Sequence, residues 1–207
     1  MPATRTPVVF IHGMWLHATS WTPWLELFRA AGYDPIAPGW PGEPGTVTEA
    51  RERPEMVANT SIDDCVTHYT KIIDSLGAAP ILIGHSFGGL FAEKLLGQGI
   101  GIAGVAIDPA QIKGVLPLPL AQLRAALPAL SNPANLHKSV SLTLKEFRFG
   151  FGNALTEEES AERFNGLDCN PSLYWISEER RTSSGLVEQQ RIFAKGHQHA
   201  QSIRRGT

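Results

Sequence analysis

Four short apolar runs punctuate the first half of the chain: Val8 to Ile11, Tyr33 to Ala37, Ile81 to Ile83, and Ile102 to Ile107. Each stops against a turn-forming residue, and their β-branched content predicts short buried strands. Between them the apolar positions fall at helical steps. Trp21, Trp24, Leu25, Phe28 and Leu27 share a face that starts behind Ser20 and closes at Gly32; its tryptophans are expected in the core. Ser61 with Asp64 forms a capping-box start for Ile62, Val66, Tyr69, Ile73 and Leu76. Phe87 opens a third helix through Leu90, Phe91, Leu95 and Leu96 to Gly97. Strand and helix therefore alternate, which predicts an α/β fold with a doubly wound, mostly parallel sheet. Ligands of such sheets bind beyond the carboxyl ends of the strands, where His12-Gly13, Ser86 and Asp108 fall.

From Val115 the pattern changes. Leu116-Pro117-Leu118-Pro119 reads as a rigid connector, followed by helical patterns over Leu120 to Leu127, Leu142 to Phe151, and Thr156 to Phe164. The expected organisation is a core over residues 1–114, a helical cap over 115–165, and an atypical segment over 166–207. In that last segment only Ser172 to Ile176 and Arg191 to Ala194 are strand candidates, both short and flanked by polar residues. The Pro- and Gly-rich stretch Pro38 to Gly45 predicts a loop, and Arg51 to Glu55 reads as solvated surface.

Composition narrows the function classes. With 207 residues, 43% hydrophobic and 18% charged, the chain suits one globular domain with a sizeable core. A net charge of −2 gives no electrostatic case for nucleic acid or an anionic membrane as partner. Cys65 and Cys169 are too isolated for a disulfide framework or a zinc site, and Cys65 reads as a helix-face residue. The N-terminal apolar run is shorter than a signal-peptide core, so a cytoplasmic enzyme is expected.

The chemistry concentrates in Gly84-His85-Ser86-Phe87-Gly88, a G-x-S-x-G pattern between a predicted strand and a predicted helix. A chain that turns so sharply brings positions 84 and 88 together, where side chains would collide. Ser86 is then strained at the apex, its hydroxyl exposed beside a helix N-terminus. Two other patterns carry no chemistry. Gly99-x-Gly101-x-x-Gly104 matches a dinucleotide fingerprint but opens a strand instead of a helix. His197-x-His199 lacks partners at metal-ligand spacing; His12, His17 and His85 flank the site, where His12 and His85 read as packing or bonding locally.

Val8 to Gly13, the Pro38 to Gly45 loop, Gly84 to Gly89 and Ile107-Asp108 together resemble the α/β-hydrolase fold, closest to its lid-bearing esterases and lipases. The family's usual Asp in the loop after the second strand is here Gly39. The resemblance implies Ser86 as nucleophile and the backbone N–H groups of Met14 and Phe87 as oxyanion hole. It also implies a histidine base and an orienting acid. His197, in Gly196-His197, is the family-like base; Asp108 is either a turn former or the acid. No cofactor is implied. The expected substrate is a small, fairly apolar ester or related acyl compound, with Trp15, Trp40 and Phe87 near its pocket. Lyase or cofactor-free perhydrolase chemistry on the same fold, or a fold without turnover, stay open. Two readings of the last segment compete: a compact fold completed by His197, or a chain truncated or frameshifted near Phe164. The second is favoured, and with it weak or absent ester turnover.

Overall fold

In the computed structural model, which describes residues 5–58, 60–111, 124 and 140–167, β1 (Pro7–Ile11) is buried along its whole length. An unbroken run of apolar residues forms a strand covered on both faces, and β1 lies inside a sheet of order β2-β1-β3-β4. Its neighbours are β2 (Asp34–Ile36) and β3 (Ile81–His85), and β3 pairs onward with β4 (Ala103–Ile107), all in parallel. The strand order reverses direction at β1, as expected of a doubly wound sheet.

Alternation along β1 divides the core in two. Val8 and Phe10 face α1 (Thr22–Ala30) with Ile83, Trp21 and Phe28. Phe10 meets the Phe28 ring edge-on at 5.1 Å and the Trp21 ring at 5.0 Å. Val9 and Ile11 point to the other face, into a larger cluster with Val66, Tyr69, Leu90 and Phe91. That cluster is supplied by α3 (Ile62–Asp74) and α4 (Phe87–Gly97). The Ser61–Asp64 capping box forms as predicted: the Asp64 N–H donates to Ser61 Oγ and the Ser61 N–H to Asp64 Oδ2, each at 3.0 Å.

Trp24 departs from the expected core packing. It is 44% exposed and Leu27 is 61% exposed, whereas Trp21 is buried. α1 buries a narrower strip than the spacing suggests: the Trp24 ring reaches Phe10 at 6.5 Å from the margin of the contact, and Leu27 lies outside it.

Residues 47–57 also depart from expectation. Val47–Glu52 form α2, with Thr46 as N-cap accepting from the Glu49 N–H, and a short 3₁₀ turn follows over Pro54–Val57. Arg51 is more than solvated surface. Its guanidinium donates to the Phe164 carbonyl and lies 5.2 Å from the centre of the Phe164 ring.

Two helical patterns predicted in the second half form α5 (Leu144–Gly150) and α6 (Glu157–Leu167). Leu142 and Phe147 carry them into the larger core cluster. The predicted helix over 120–127, the strand candidates over 172–176 and 191–194, and His197 lie outside the described residues. Arg51 therefore joins α2 to α6, and Arg51→Lys, which keeps the charge but loses the planar fork, should cost about 1 kcal/mol. It should also speed proteolysis within residues 140–167. Unchanged melting and cleavage would show that the contact does not hold α6.

Candidate active site

The glycines of the G-x-S-x-G pattern are required by contact. A Cβ on Gly84 would stand 2.0 Å from the Gly88 carbonyl oxygen, and one on Gly88 would stand 2.1 Å from that of Ile11. The tight turn lifts Ser86 into left-handed backbone, φ 53° and ψ −117°. A non-glycine residue held there stores about 1–3 kcal/mol of strain. Ser86 stands at the N-cap position of α4, yet its side chain makes no capping hydrogen bond. The backbone fixes it instead: the Ser86 N–H donates to Ile107 O at 3.0 Å and the Ala110 N–H to Ser86 O at 2.9 Å.

The loop after β1 lies directly against this turn, since a Cβ on Gly13 would come 2.9 Å from Ser86 Cβ. β1 and β3 are neighbours and both loops leave from their carboxyl ends, so Met14 and Phe87 belong to adjoining turns. Trp15 in the same loop is left-handed as well, with φ 64°. Its indole N–H donates to Val140 O at 2.9 Å, and its ring meets Phe151 edge-on.

Asp108 follows β4 with φ 43° and is exposed. Its charge acts on His85, whose ring is held below the usual histidine value mainly by burial; Asp108 opposes that shift and His12 adds to it. Among the described residues no histidine forms a hydrogen bond with the Ser86 hydroxyl. Trp15 and Trp40 line a small recess with Met14, Leu16 and Val57, reached by Glu43 and His12. Phe87, expected near them, packs against the larger core cluster, to which Met14, Trp15 and Trp40 also belong.

Glu43 is the residue that sequence reasoning missed. Its side chain is 3% exposed and stands between two buried histidines. Oε2 is 2.7 Å from His12 Nε2, off the line of an ideal hydrogen bond, and Oε1 is 3.4 Å from His17 Nε2. Oε1 also accepts from the Ala18 N–H at 3.0 Å. Burial alone would raise its pKa. The charge and contact of His12, the Ala18 N–H and the charge of His17 outweigh burial and hold it below 4.5. The loop carrying it is pinned to α3, where Tyr69 donates to Pro38 O and His68 donates to Gly39 O, both at 3.1 Å. The departure at Gly39 now has a reason: a Cβ there would come 2.8 Å from Glu43 Oε1. One signal was available, a lone carboxylate in a Pro/Gly loop of a chain with two histidines five residues apart.

Comparison with known proteins gives the family and the fold. The model of the alpha/beta hydrolase family matches residues 8–190, and the chain belongs to that family. An extracellular alpha/beta-hydrolase from a Paenibacillus species superposes with TM-score 0.61 at 19% identity, over 81% of this chain and 68% of that one. Polyneuridine aldehyde esterase gives TM-score 0.60 at 18% identity, covering 86% and 73%. The monoacylglycerol lipase of Paleococcus ferrophilus gives 0.54 at 24% identity, covering 84% of this chain but 66% of the lipase. A comparison with curated sequences finds no match. Among the described residues no helix is long and apolar enough to cross a membrane.

Proposed function

We propose that the chain is a serine hydrolase that cleaves a small, apolar ester or related acyl compound through an acyl-enzyme on Ser86. The observation that carries this reading is the left-handed Ser86 at a strand–helix turn, with its hydroxyl unused as a helix cap. In this reading Ser86 Oγ attacks the acyl carbonyl, its proton passes to a base, the alcohol leaves, and water releases the acid. The N–H groups of Met14 and Phe87 take up the negative charge on the carbonyl oxygen; the contact of Gly13 with the Ser86 turn supports the pairing. His197 serves as base and Asp108 as acid, with α5 and α6 as part of a cap over the apolar recess. Esterase and lipase names among the similar structures favour acyl chemistry and a small-molecule substrate.

A second reading is the same fold without turnover. One experiment separates them. The full chain is treated with a fluorophosphonate, which reacts with activated serines, and assayed for p-nitrophenol release from short-chain esters. Labelling at Ser86, lost in Ser86→Ala, is expected together with slow release. Release abolished by both Ser86→Ala and His197→Ala would assign His197 as base. A chain that neither labels nor releases p-nitrophenol is not a serine hydrolase.

A further inference from the structure

We propose that Glu43 is a positioning residue: it holds His12 so that the ring clamps the Gly13–Met14 peptide and aims the Met14 N–H at Ser86. The inference rests on the hydrolase reading for its purpose, and on the following geometry for its existence. His12 Nδ1 lies 2.9 Å from Gly13 O. A carbonyl only accepts, so Nδ1 carries a proton. Nε2 stands 2.7 Å from Glu43 Oε2, so the carboxylate sets where the far side of the ring can lie. His17 differs. Its Nδ1 accepts from the Thr19 N–H at 3.2 Å while Nε2 donates to Pro44 O at 3.0 Å.

The Gly13 carbonyl accepts a second bond, from the Leu16 N–H at 3.3 Å. Gly13 C=O and Met14 N–H are two ends of one planar trans peptide and point in opposite directions. Two donors on the oxygen therefore fix where the Met14 N–H points. His12 is itself held in place. The Trp40 ring stacks on it at 5.3 Å, and the Trp40 indole N–H donates to His12 O at 3.2 Å. The charged or titratable groups around the pair are His17 beside Glu43, Tyr69 of α3 near Glu43, and His85 at the end of β3 near His12.

The test uses the full chain with ¹⁵N-labelled histidine and backbone. His12 Nδ1 should be protonated and hydrogen-bonded to the Gly13 carbonyl. Glu43→Gln, which keeps the shape and the Ala18 acceptor, should shift the His12 ring-nitrogen signals and the Met14 amide. Fluorophosphonate labelling of Ser86 should then slow by about tenfold or more. An unprotonated His12 Nδ1 in the native chain overturns the clamp, whether or not the variant folds. A folded Glu43→Gln protein that labels at the native rate overturns it too, and leaves the hydrolase reading standing. If the native chain does not label at all, the hydrolase reading fails instead. The Met14 amide then decides the clamp: displaced in Glu43→Gln it stands, unmoved it falls.

Discussion

Gly84→Ala is expected to remove about 4 kcal/mol or more of stability, a large part of what a domain of this size possesses. The added methyl would meet the Gly88 carbonyl oxygen at 2.0 Å and its carbon at 2.2 Å. Both are main-chain atoms at the start of α4, so no rotamer change relieves the clash. Relief needs α4 to move away from β3, and α4 brings Leu90, Phe91 and Leu95 to the core. Urea unfolding of Gly84→Ala beside Gly45→Ala gives the measurement, because a Cβ on Gly45 meets nothing within 4 Å. Equal midpoints for the two variants would show that the turn tolerates a side chain.

Glu43→Ala should cost about 1–3 kcal/mol, the usual loss when a buried polar group is left without its partner. The substitution leaves His12 Nε2 without the carboxylate beside it and the Ala18 N–H without its acceptor. The pair also sets an acid limit. Glu43 has a folded pKa below 4.5, its ordinary value, so its contribution is fully present above that pH. The contribution is lost as pH falls through the depressed folded value, because the unfolded chain takes up the proton first. Urea midpoints measured from about pH 6 to pH 3 should fall more steeply for the native chain than for Glu43→Gln. Parallel curves would show that Glu43 carries no net pairing energy.

The sheet and the nucleophile turn were legible because they depend on near neighbours in sequence. Val8 to Ile11 and Ile81 to Ile83 announce strands by being apolar throughout, and Gly84 and Gly88 announce the turn by spacing alone. The Ser61–Asp64 cap is local in the same sense. Glu43 was not legible, because its meaning arises only when the loop after β2 folds back on the loop after β1. Its partners His12 and His17 stand 31 and 26 positions away, and no pattern in the loop itself distinguishes a buried carboxylate from a solvated one. Arg51 was hidden for the same reason, its partner Phe164 being 113 residues distant. Trp24 erred in the opposite direction. A helical face read from spacing is broader than the strip a short helix can bury against a strand.

Trp15, Ser86 and Asp108 are the non-glycine residues with left-handed backbone among those described, and they follow β1, β3 and β4 in turn. Glycine would hold the backbone at all three places without strain. At Trp15 it would also remove a buried ring that packs on Phe151, so there the side chain outweighs the strain. At Ser86 and Asp108 the fold gives up about 1–3 kcal/mol each to keep a hydroxyl and a carboxylate on that edge of the sheet.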